Sequence, residues 1–111
     1  MTYTLTVRRG SSVERERFEA LDEAVARLRA RAEEIRAGAR LGTISAFRDY
    51  EPGQRVAARL ELSTGRMFRS RDAGLDVMGD GSLVPYAGGI GRRPLDTDGG
   101  SAFEAISRAL A

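Results

Sequence analysis

The sequence predicts an α+β domain: an antiparallel β-sheet of about five or six strands, with one long helix and a short C-terminal helix packed on one face. Three observations carry this. Apolar residues alternate with polar ones at Tyr3, Leu5 and Val7 and again from Val56 to Leu62, the period of a strand with one buried face. A long apolar seam at helical spacing separates those strands. Tight-turn signals, above all Asp80-Gly81, join the later strands into hairpins.

In chain order, Tyr3 to Arg8 is the first strand and Gly10-Ser11-Ser12 a turn. Val13 to Phe18 alternates charge without helical apolar spacing and is read as a second strand closing a hairpin. A competing reading starts the helix early, because Ser11 and Glu14 stand at capping-box spacing. Phe18, Leu21, Val25, Leu28, Ala32, Ile35 and Ala39 then mark a helix over about 20–37. Glu23 with Arg27 and Arg29 with Glu33 form i,i+4 pairs on its outer face, and Gly38 is its expected stop. A third strand is expected at Ile44–Tyr50, ended by a type II turn at Glu51-Pro52-Gly53-Gln54.

Val56, Ala58, Leu60 and Leu62 form the buried side of a fourth strand, and Arg55, Arg59 and Glu61 charge its other side. Thr64-Gly65 should turn the chain into Arg66–Arg71, with Met67 opposite Leu62. A two-residue Asp80-Gly81 loop pairs Leu75 with Tyr86 and Val77 with Val84, putting four apolar residues on one face. The same register makes Asp76 and Pro85 a non-hydrogen-bonded pair, so that the proline strand becomes a sheet edge. Gly88 to Gly100 is a 13-residue connection with five glycines. Ser101 and Glu104 then form a capping box for a final helix carrying Phe103, Ile106 and Leu110.

The 111 residues suit one domain, 1–111, with one core. There is no histidine and no cysteine, so triads and dyads built on either, disulfides, and zinc sites of imidazole or thiolate are excluded. A chain without cysteine is expected in a reducing compartment. With no spanning apolar run and no basic start before an apolar stretch, it reads as a mature cytoplasmic protein without a membrane partner. All 18 basic residues are arginine against 16 acidic ones. The arginine-only usage, with abundant alanine and glycine, reads as high-GC codon bias, and a net charge of +2 makes no broad cationic field.

Asp49, Glu51 and Glu61 are acid–base candidates by type alone, since their spacing brings no two together. Asp72, Asp76 and Asp80 recur every four residues but lack the alternate-position ligands and closing glutamate of a calcium loop, and they are read as turn residues. Ala87 to Arg93 is glycine-rich, yet no helix starts directly after it as a phosphate cradle needs. No catalytic residue, metal or cofactor is expected.

Arg55-Val-Ala-Ala-Arg-Leu-Glu-Leu-Ser63 together with Gly74-Leu-Asp-Val-Met-Gly-Asp-Gly-Ser82 resembles small proteins of high-GC actinobacteria that carry no assigned activity. The resemblance spans most of the chain and implies a bacterial cytoplasmic origin, with no functional residue to transfer. The function expected is a small non-catalytic protein-interaction or self-associating module, with a homo-oligomer or a protein partner docking on a sheet edge or the charged sheet face. The alternative is a nucleic-acid-binding module using Arg66, Phe68, Arg69, Arg71, Arg92 and Arg93, with Arg8-Arg9 converging on them, as an arginine cluster with an aromatic for stacking.

Overall fold

The computed structural model describes residues 2–46, 56–65, 71–88 and 92–111. The elements are β1 (Tyr3–Arg9), β2 (Ser12–Phe18), α1 (Leu21–Ala46), β3 (Val56–Thr64), β4 (Arg71–Met78), β5 (Leu83–Ala87), β6 (Arg93–Pro94) and α2 (Ala102–Leu110). The strands form one six-stranded antiparallel sheet in the order β2-β1-β3-β4-β5-β6. With a long and a short helix against it, the chain is an α+β domain.

Register and side-chain alternation place the core. Cross-strand rows run Leu5, Leu62, Ala73 and Val7, Leu60, Leu75 on one side of the sheet, and all six of these residues are buried. Ala24, Leu28, Ala32 and Ile35 of α1 and Phe103, Ile106 and Leu110 of α2 close over them in one cluster. Both helices therefore cover this side, and among the described residues the opposite side carries none. Among the described residues no helix is long and apolar enough to cross a membrane.

The first hairpin forms as the alternation predicts, and the early-helix reading fails: Ser12–Phe18 pairs with β1 over its whole length, with Gly10 at φ +60° in the turn. The serine half of the α2 capping box forms, Ser101 Oγ accepting from the Glu104 amide at 3.1 Å.

The long helix departs from its expected end. It continues through Gly38 to Ala46, so Ile44–Ala46 is helical rather than the start of a strand. A glycine stop needs left-handed backbone, which Gly38 does not adopt. The following Ala39-Arg40-Leu41 are strong helix formers that offset an interior glycine costing about 1 kcal/mol. The remainder of the expected third strand, 47–50, and the turn at 51–54 lie outside the described residues. The seam is also rotated slightly: Ala24 is fully buried while Val25 is only partly so.

The helix arginines reach further than one turn. Arg27 pairs with Glu16 of β2 at 3.0 Å rather than with Glu23, and the Arg29 guanidinium lies over the Phe103 ring, 5.5 Å from its centre. Arg31 joins Glu14 of β2 at 2.8 Å, and Arg36 Nε donates to the Gly81 carbonyl at 2.7 Å. A long flexible arginine on a helix laid across a sheet meets strand carboxylates as readily as its own neighbours.

Two register expectations are overturned. Leu62 faces Ala73, not Met67, in a register that sets Arg71 opposite Thr64; Met67 itself is outside the described residues. The Asp80 turn is a three-residue loop, Gly79-Asp80-Gly81. It is closed by Met78 N to Ser82 O at 2.9 Å and Gly81 N to Met78 O at 2.9 Å, with Gly81 at φ +88°. Asp80 Oδ1 accepts from both the amide and the hydroxyl of Ser82, at 2.9 and 2.6 Å, which holds its carboxyl below the usual range. An odd loop length shifts the pairing by one residue: Leu75 faces Pro85, and Tyr86 faces Gly74. Since alternate residues point to opposite faces, Tyr86 and Val84 leave the core side altogether. Pro85 does not mark a free edge either, because β6 pairs with Tyr86 and Ala87 and the Leu95 amide bonds the Pro85 carbonyl at 3.1 Å.

Candidate functional site

The side of the sheet that faces away from the two helices carries most of the polar residues of β1, β3 and β4 and the arginines of β2. Following the register, Val13, Arg8, Arg59, Asp76 and Val84 form one row across it. Arg15, Thr6, Glu61, Gly74 and Tyr86 form the next, and Arg17, Thr4, Ser63 and Asp72 a third.

Its centre is a tied network. Arg59 forks onto Asp76, Nε to Oδ1 at 2.7 Å and Nη2 to Oδ2 at 3.2 Å, the bidentate geometry that makes such pairs strong. The hydrogen bond to Asp76 raises the Arg59 pKa. Tyr86 lies across Gly74 and donates its hydroxyl to Glu61 Oε2 at 3.1 Å. The guanidiniums of Arg92 and Arg59 stand 4.7 and 5.9 Å from the centre of its ring. Although neither α1 nor α2 covers it, Tyr86 is only 5% exposed. Burial first, and the Glu61 carboxylate second, push its phenol pKa well up.

Asp72 is likewise pushed up, by burial and then by the negative charge of Glu61. Asp72 and Asp76 are therefore strand residues of the sheet face, not the turn residues expected; only Asp80 is in a turn. Glu61 is held by the tyrosine, while Asp49 and Glu51 lie outside the described residues. A cleft of about 400 Å³ opens elsewhere, among Arg9, Ser12, Glu14 and Arg31. Among the described residues its lining holds one carboxylate, Glu14, which is paired with Arg31. Among the described residues no group of three carboxylates is placed to hold a metal ion.

Of the arginine cluster proposed for nucleic acid, Arg66, Phe68 and Arg69 lie outside the described residues. The others do not share a face. Arg92 lies over Tyr86 on the helix-free side, whereas Arg93 faces Ala87, which has the alternation of the core side. Arg71, at the start of β4, donates to the carbonyl of Ala111 at 3.3 Å, beyond the end of α2. Arg8 and Arg9, adjacent in β1, point to opposite faces.

Sequence reasoning missed the arginines that do gather. Arg15 and Arg17 of β2 stand on the helix-free side at the outermost strand, with Arg8 behind them on β1. Their β2 neighbours Glu14 and Glu16 point the other way and are held by Arg31 and Arg27. The Glu-Arg alternation was the available signal, and it becomes legible once β2 is known to be the edge. No protein family, no curated protein and no solved structure matches this chain.

Proposed function

We propose that this chain is a non-catalytic protein-interaction module that takes up an extended segment of a partner along the outer side of β2. The observation that carries this reading is the contrast between the two ends of the sheet. At one end β6 has two residues, a length that blunts an edge. At the other, β2 runs seven residues in unbroken register with β1, with no proline, no bulge and residues 12–17 exposed. An antiparallel edge directs the amides and carbonyls of alternate residues outward. Those groups bind an added strand through main-chain hydrogen bonds, and side chains on either face supply selectivity.

A chain without histidine or cysteine supports binding over catalysis, and it suits a reducing compartment such as the cytoplasm. The nucleic-acid reading has less support, since Arg71 and Arg92 lie on different sides of the sheet.

The test is amide hydrogen exchange on the full chain, free and with peptides selected from a library of extended sequences. Outward amides of β2 exchange rapidly in the free chain and slow on binding. Selected peptides that protect only other elements, or a library that yields none, would remove the proposal.

A further inference from the structure

The edge carries a charge code, and from it we infer that the strand β2 accepts is an acidic one from another protein, with carboxylates at alternate positions opposite Arg15 and Arg17. This rests on the docking of a strand at β2 and names its occupant.

The first argument is unmet charge. Arg15 faces Thr6 and Arg17 faces Thr4 on β1, so no carboxylate stands beside either on the adjoining strand. The nearest acid in these rows is Glu61, two strand spacings from Arg15, or about 9.6 Å, and it is engaged by Tyr86. Among the described residues neither arginine makes an ion pair. Glu14 and Glu16 on the other side are neutralised by α1, at 2.8 and 3.0 Å. An added strand thus meets free positive charge on the helix-free side and satisfied pairs on the helix side. Carboxylates on its first side and uncharged polar residues on its second match that pattern.

The second argument weighs against a second copy of this chain. Two copies joined edge to edge by antiparallel β2 strands are related by a two-fold axis perpendicular to the sheet, which keeps both sets of helices on one side. Paired residues then share their alternation, so no such register sets Arg15 or Arg17 against Glu14 or Glu16, and the register of fullest overlap sets Arg15 against Arg15 and Glu14 against Glu16. Like charges directly opposite each other destabilise a strand pair. The alternation that admits an acidic strand therefore disfavours self-pairing.

A polyanion such as nucleic acid is disfavoured by the same alternation. Two glutamates against two arginines leave β2 with no net charge over residues 14–17, and the aromatic of the sheet face, Tyr86, is only 5% exposed. Among the described residues base stacking has no exposed platform there.

The experiment uses the full chain and three blocked, fluorescently labelled heptapeptides in which threonine alternates with glutamate, glutamine or arginine, together with a labelled oligothymidine. Binding is followed by anisotropy at low and high salt, and amide exchange maps each complex. Each cross-strand ion pair contributes a factor of about two to five. Two pairs should make the glutamate peptide bind about four- to 25-fold tighter than the glutamine peptide, with the arginine peptide weakest. The double variant Arg15→Glu, Arg17→Glu should reverse that order with an unchanged circular dichroism spectrum, since both side chains are exposed.

Equal protection of β2 by the glutamate and glutamine peptides would overturn the charge code while leaving strand docking intact. Binding of no peptide would remove both. Tighter binding of oligothymidine than of the glutamate peptide would overturn the inference in favour of a polyanion. Concentration-dependent dimerisation that protects the β2 amides would overturn it in favour of a second copy.

Discussion

The Tyr86 hydroxyl donates to Glu61 Oε2 at 3.1 Å across an intervening strand, and Gly74 is what lets it pass. Glu61 pairs with Gly74 on one side and Tyr86 with Gly74 on the other. The absent side chain leaves a slot in which the ring lies flat against the sheet. A Cβ at position 74 would collide with the Leu60 carbonyl and would come within 2.9 Å of both Glu61 Cα and the tyrosine hydroxyl.

Gly74→Ala should therefore destabilise the fold by about 1–3 kcal/mol, the usual cost of overpacking. Backbone atoms provide two of the three contacts, so the strain cannot be relieved by a side-chain rotation alone. Urea unfolding of the two proteins measures the difference, and a change of a few tenths of a kcal/mol would show that the β3 backbone shifts aside at little cost.

The raised Tyr86 phenol predicts an alkaline limb in stability. The unfolded chain ionises its tyrosine at about 10, whereas in the folded chain burial and the Glu61 charge oppose the anion. The resulting contribution is fully present below pH 10 and is lost as pH rises through the folded value. Tyr86→Phe should flatten this limb between neutral pH and pH 11, and it should cost about 1 kcal/mol at pH 7 for the lost hydrogen bond. Thermal melts across the range check both.

Asp72 is expected to show the converse of a stabilising carboxylate. Its folded pKa is raised, by burial and then by Glu61, so stability falls as pH rises from the unfolded value near 3.8 through the folded one. Asp72→Asn should raise the melting temperature at pH 7 and change it little at pH 3, where the carboxyl is protonated in both states. An equal shift at both pH values would assign the effect to packing instead.

Leu60 and Val84 sit on β3 and β5 with opposite surroundings, fully buried and 43% exposed respectively. Leu60→Ala should cost about 2–5 kcal/mol through lost burial and a residual cavity, and Val84→Ala less than about 0.5 kcal/mol. Comparable losses in denaturant unfolding would mean that the helix-free side is covered by something as dense as the core.

Much of this fold was readable from short-range patterns. Period-two alternation marks β1, β2 and β3, the 3-4 seam marks the body of α1, and the Ser101–Glu104 box marks α2, because each pattern depends on residues within one turn or one strand. The end of α1 was not readable. Gly38 signals a stop only if its backbone turns left-handed, and the helix formers after it decide otherwise. Nor was the candidate site readable. Arg15 and Arg17 look like ordinary charge on an alternating segment until β2 is placed outermost and Arg27 and Arg31 are seen to occupy the intervening glutamates.

Composition and local period depend on nothing distant, and they suffice for the α+β class, the apolar faces and the loss of histidine and cysteine chemistry. Which strand lies at the edge, which carboxylates the helix neutralises and which face receives Tyr86 depend on contacts between distant segments. The last of these turned on a single residue: Gly79-Asp80-Gly81 closes as three residues rather than two. In a structure of period two, one residue of slip moves every side chain of the following strand to the other side of the sheet.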